Sequence, residues 1–228
     1  MKTKSVIFLF GFFLLNSCIV KSLNPFYTTD KIKYDKKLEG NWKSKNGEWK
    51  IHSLEEEYRK QNRKLSELHK SEEKNIAFSN TDLNIMEELK DAYAVFYKDP
   101  ENEAFFIATP FKVGKHLFLD FTPFDFNSEG MNDLTAQHLI KTHSVCLVEY
   151  QEDKIVKFKW IDEDVVKDLI TNNNLKIKHE KIGIDDDLIL TASSQELYRF
   201  LEKFMTSSIK RKWEEDQIYT LTKTDAAP

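Results

Sequence analysis

Short apolar runs of period two, joined by turn residues, constrain this chain more than any other feature. In "KIVKFKW", Val156, Phe158 and Trp160 alternate with Lys157 and Lys159, so one strand face is buried and the other wetted. Leu117, Leu119 and Phe121 likewise share a face, opposite His116 and Asp120. The runs are split by Asn46-Gly47, Asp99-Pro100, Gly114-Lys115 and Glu152-Asp153-Lys154. Asn46 and Gly47 both tolerate positive φ, a strong hairpin signal. Connections this short join only antiparallel neighbours, which excludes an all-parallel sheet.

Helices punctuate the strands. Ser53 and Glu56 match a capping box ahead of the charge-dense stretch 53–74, read as a solvated helical insertion. Asp162-Glu163-Asp164 opens a helix over 162–172, with Val165, Val166, Leu169 and Ile170 as its buried face. Ser193 and Glu196 form a second capping box, and Leu197, Phe200, Leu201 and Phe204 follow at helical spacing. "LKIKHEKI", "LILTA" and "QIYTLTKT" complete about nine or ten short strands. The expected fold class is α+β, mostly β: an antiparallel barrel or strongly curved meander sheet with short helices. Hydrophobic residues at 40% and charged residues at 32% suit one packed domain under a charged surface.

The chain opens differently. Lys2 and Lys4 precede an apolar run from Val6 to Leu15. At about ten residues it is half the roughly 20 needed to span a bilayer and fits a secretory leader. Leu15-Asn16-Ser17-Cys18 resembles a bacterial lipobox, with a branched apolar residue at −3 and a small one before the cysteine. The resemblance implies cleavage after Ser17, a diacylglyceryl thioether on Cys18 and an acylated amino group. Each lipid methylene buried contributes about 0.8 kcal/mol, so several chains anchor stably where one does not. The competing reading is an ordinary signal peptide with an incidental Cys18. Ile19 stands where an inner-membrane retention aspartate would, and Ile19-Val20-Lys21-Ser22 lacks an acidic export signal. In a two-membrane bacterium both features imply the periplasmic face of the outer membrane. Residues 1–17 are thus read as leader, 18–37 as a tether and 38–228 as one domain carrying the 53–74 insertion.

Gly40-Asn41-Trp42, at the start of the first strand, resembles the G-x-W signature of lipocalins and calycins. "ATPFKVGKHLFLDFTP", "HLIKTHSVCLVEYQEDKIVKFKWID" and "LILTASSQELYRFLEKF" follow in order. Together they are similar to a widespread family of uncharacterised bacterial proteins, many of them lipoproteins, with a lipocalin-like barrel. The resemblance covers roughly 90–206, omits the charged insertion, and implies fold and anchor but no activity.

Chemistry is sparse. Net charge is −4, or −6 once Lys2 and Lys4 leave with the leader, and only Arg59, Arg63, Arg199 and Arg211 are arginines. An acidic chain so poor in guanidinium excludes nucleic acid as a partner. No G-x-S-x-G, phosphate loop or H-E-x-x-H occurs. Cys146, in an apolar stretch, is read as a buried inert thiol. His138 and His143, five apart, face opposite ways on a strand, and His179 reads as a core histidine. Asp185-Asp186-Asp187 lacks calcium-loop spacing. No catalytic residue, cofactor or metal is expected. Among seventeen phenylalanines, a crowded set offers either barrel filling or the lining of an apolar site. The expected lining is Phe105, Phe111, Phe118, Phe121, Phe158 and Trp160. The sequence therefore points to a lipid-anchored, non-enzymatic module that carries a small apolar ligand or docks to an envelope protein partner. A periplasmic enzyme is the alternative.

Overall fold

The computed structural model describes residues 19–60, 90–124, 139–183 and 186–224. Cys18, residues 61–74 of the expected helix, His138 and Asp185 lie outside the described residues. Among the described residues eleven strands form in chain order: β1 (Lys21–Ser22), β2 (Gly40–Lys43), β3 (Glu48–Ser53), β4 (Tyr93–Lys98), β5 (Glu103–Val113), β6 (His116–Pro123), β7 (His143–Glu152), β8 (Ile155–Ile161), β9 (His179–Ile182), β10 (Asp187–Leu190) and β11 (Trp213–Thr224). Two α-helices, α1 (Glu163–Thr171) and α2 (Ser194–Thr206), lie between β8 and β11.

Strands β2 to β8 pair antiparallel in sequence order, and β11 closes the ring between β8 and β2. The result is a closed eight-stranded antiparallel barrel, lipocalin-like and α+β with mostly β, as the hairpin signals predict. Closure removes the exposed edges that an open sheet would present. One pair departs from the antiparallel pattern: β1 runs parallel to β10 and joins the β9–β10 hairpin to β7 outside the ring.

Both faces of the wall are apolar where β5, β6 and β7 meet, and each face serves a different core. Inward, Trp42, Trp49, Val95, Leu119, Phe121, Phe158 and Trp160 fill the barrel. Outward, Phe111, Phe118, Val145 and Leu147 are covered by α1 and α2. Helix α2 has the expected capping box between Ser193 and Glu196, and buries Leu197, Tyr198, Phe200, Leu201 and Phe204. Burying each such side chain contributes about 1.5–3 kcal/mol, so the stripe glues this helix to the wall. Asp162 caps α1 through the N–H groups of Asp164 and Val165. A helix also begins at 54, with Glu56 N–H donating to Ser53 Oγ at 3.4 Å.

Two local expectations change. Residues 19–37, read as a tether, are folded onto the barrel: Val20, Ser22 and Phe26 are buried, and Ile19 bridges to Asp162. Their alternation is weak because they pack as an irregular strap and not as a long strand. Neither Asn46 nor Gly47 takes a positive φ. Gly47 is required for space instead, since a Cβ there would stand 2.4 Å from the Lys98 carbonyl.

Candidate functional site

The hairpin turns at 44–47 and 99–102 and the start of β7 surround one end of the barrel, where a cavity of about 320 Å³ opens. Its wall is largely aromatic: Trp49, Tyr97, Phe106, Phe121, Trp160 and Tyr219. The rings meet edge-on or tilted, with Trp49 4.5 Å from Tyr97 and 5.3 Å from Tyr219, and Trp160 5.4 Å from Phe121. Such contacts hold the rings in place as an apolar wall. Polar groups stand around the lining: Ser144 Oγ accepts from Trp160 Nε1 at 3.4 Å, and Gln217, Asn102 and Asp99 form the rim. An apolar pocket with few polar groups suits a small hydrophobic ligand. The cavity has room for roughly ten groups the size of a water or a methylene.

The opposite end is crossed by chain, beside a groove of about 590 Å³ between the strap and the ends of β5 to β7. After crossing the outside of β5 to β7, the N-terminal strap turns under the barrel at Tyr34 to Leu38. Tyr93 O–H donates to the Asp35 carbonyl at 2.8 Å, and Tyr150 O–H donates to Asp35 Oδ2 at 2.9 Å. Tyr34 O–H donates to Glu39 Oε1 at 2.7 Å, and Trp42 Nε1–H to the Leu38 carbonyl at 2.8 Å. Burial, reinforced by the adjacent Asp35 and Glu39, lifts the phenols of Tyr34, Tyr93 and Tyr150 well above their ordinary range. Lys223 Nζ lies 5.1 Å over the Trp42 ring and donates to the Lys37 carbonyl at 3.0 Å. Gly40 has φ +133°, a conformation that side-chain-bearing residues rarely adopt, and this backbone requires the glycine of the G-x-W.

The six expected lining residues do not form one site. Phe121, Phe158 and Trp160 face the barrel interior, and Phe121 and Trp160 reach the cavity. Phe111 and Phe118 pair across β5 and β6 on the outer face, beneath the helices. Phe105 stacks on Phe96 at 4.6 Å and lies 4.8 Å from Phe124 in a third cluster, also outside. Adjacent residues on a strand point to opposite faces, so a linear crowd of phenylalanines is divided by the pleat. Trp49, Tyr97, Phe106 and Tyr219 were missed. Their common signal is parity with Phe121 and Phe158 once the strand registers are known.

Asp99 and Glu103 line the cavity, and the other acid–base groups singled out stand elsewhere. Asp120, buried on the outer face, accepts from the Phe26 N–H at 2.8 Å, and its Oδ1 is 2.6 Å from His143 Nδ1. Burial pushes its carboxyl up, against the lowering effect of His143 and the Phe26 N–H. Cys146 is buried inside the barrel, which drives its thiol well above the ordinary range. His179 is half-buried, with Nδ1 2.9 Å from the Ile177 carbonyl. Among the described residues, no three His, Cys, Asp or Glu side chains are grouped to hold a metal. Asp186 and Asp187 pair with Lys181 and Lys21.

Comparison of the chain with protein-family models, with curated proteins and with solved structures finds no match.

Proposed function

We propose that this chain is a lipid-anchored protein of the bacterial cell envelope, held through Cys18 at the periplasmic face of the outer membrane. In this reading it is a non-enzymatic module that takes one small apolar ligand into the barrel mouth. The observation that carries it is the 320 Å³ cavity walled by Trp49, Tyr97, Phe106, Phe121, Trp160 and Tyr219. One feature supports the non-enzymatic reading: Asp120, a buried acid in contact with His143, sits outside the wall under the strap. The leader and lipobox pattern support the anchor.

The test uses N-phenyl-1-naphthylamine, an apolar probe that fluoresces when desolvated. The expected result is saturable enhancement at one probe per chain, lost in Ala104→Phe. Ala104 pairs with Tyr97 and shares its inward face, so the added ring fills the mouth. Absence of enhancement, or equal enhancement in the filled variant with its β circular dichroism intact, overturns the reading. The anchor is tested by mass: a diacylglyceryl adduct on the mature chain, absent in Cys18→Ala.

One observation favours a second reading, docking to an envelope protein. Phe96, Phe105 and Phe124 form an outer aromatic patch beside the helix that begins at 54, and Phe124 is 49% exposed. A photocrosslinker at Glu57 that captures one discrete partner in the native host would favour docking over ligand carriage.

A further inference from the structure

Cys18 precedes Ile19 directly, and consecutive Cα atoms are about 3.8 Å apart. Ile19 is not slack chain. It lines the barrel mouth and is bridged to Asp162, while Val20 is 2% exposed and Ser22 is buried. The strap then runs from the mouth toward the closed end, where Asp35 is held by Tyr93 and Tyr150. A lipidated cysteine would therefore attach at the mouth, with no free residue between anchor and barrel. The glyceryl group on the cysteine sulfur sits at headgroup level when its chains enter the bilayer.

The rim has matching chemistry. Phe124, Leu139 and Ile140, exposed by 49%, 39% and 67%, stand on the connection between β6 and β7 at this end. Lys141 lies 5.5 Å over the Phe124 ring, an aromatic beside a basic group of the kind that sits at a membrane interface. Charges on the turns are mixed: Lys98 pairs with Glu103, and Lys45 and Asp99 line the same surface groove. Contact with a surface would thus depend on the anchor and the apolar side chains more than on anionic lipid.

We propose that the mouth of the barrel is a membrane-facing surface: the short anchor fixes the molecule upright, mouth down, with the aromatic cavity opening onto the lipid headgroups. This rests on the lipid-anchor reading above, and adds orientation to it. A long tether would permit any orientation. The folded strap does not.

The experiment uses the full chain, processed and lipidated in a bacterial host, with its mass recorded before reconstitution into phosphatidylcholine vesicles. A fluorophore is placed at Lys45→Cys or Glu101→Cys near the mouth, or at Lys115→Cys or Asp153→Cys on the far turns. All four native side chains are exposed, and Cys146 is buried away from the label. The eight residues of β6 separate the ends by roughly 20 Å at usual strand rise and tilt. Nitroxide on the lipid headgroups should quench the mouth labels at least twofold more than the far labels. Inserting ten Gly/Ser residues between Cys18 and Ile19 should shrink that difference. Equal quenching at the two ends, stronger quenching at the far end, or a difference unchanged by the insertion overturns the proposal while leaving the anchor intact. A mature mass without lipid overturns the anchor reading and this one together.

Discussion

At the closed end of the barrel, every aromatic ring has a fixed polar partner: Tyr34 with Glu39, Tyr93 and Tyr150 with Asp35, and Trp42 with the Leu38 carbonyl. At the mouth, the rings touch mainly each other, and the polar contacts are longer, at 3.4 Å for both Trp49 and Trp160. The strap explains the difference. It crosses one end as chain, bringing backbone donors and carbonyls with it, and among the described residues no such strap crosses the other. A buried polar group without a partner costs about 1–3 kcal/mol, so a plugged end must satisfy its groups while an apolar mouth has few to satisfy. One end is held by hydrogen bonds to the strap and the other by contacts between rings.

The strongest test of that contrast is Trp42→Ala. It empties a fully packed site and strips the Lys223 clamp of its ring, for an expected loss of about 3–5 kcal/mol by urea unfolding. Tyr219→Ala at the half-buried mouth should lose only about 1 kcal/mol while weakening probe binding. Equal losses at the two positions would end the distinction between a structural end and a receiving end.

Next in size is the strap's attachment. Asp120→Ala leaves the Phe26 N–H and His143 without their acceptor, for about 1–3 kcal/mol. Because burial raises this carboxyl above its ordinary 3.8, the folded state holds the proton more tightly than the unfolded chain. Its contribution to stability is therefore full below about pH 3.8 and is lost as pH rises through the higher folded value. Asp120→Asn should abolish that slope in a stability–pH series.

Tyr150→Phe removes the hydrogen bond to Asp35 at an exposed position and should cost about 0.5–1.5 kcal/mol in thermal denaturation. The smallest effect is expected at Lys223. Lys223→Met should lose about 0.5–1 kcal/mol of cation–π attraction, and Lys223→Arg should restore most of it. A Lys223→Met change without effect would reduce the clamp to a packing contact made by the methylene stem.

Much of this fold is legible in local pattern. Period-two alternation in "KIVKFKW" places Val156, Phe158 and Trp160 on one face whatever surrounds them, because the pleat alternates side chains. The boxes at Ser193 and Glu196, and Asp162 ahead of α1, mark the helix starts because their partners lie within three residues. The candidate site was only half legible. Phe121 and Trp160 reach it, but Phe111 and Phe118 belong to the outer core, since β5 and β6 are apolar on both faces.

What the sequence determined by itself is therefore the strands, their antiparallel joins and the helix caps. These depend on spacings of a few residues, where backbone geometry alone dictates which side chains meet. The tertiary structure decided the rest: β11 closing the ring against β2, Ser22 meeting Leu190, and Phe26 meeting Asp120. It also decided that residues 19–37 form a strap and that Ile19 stands at the mouth. Each depends on contacts far apart in the chain, and a residue of either face carries no local mark of which core it will enter.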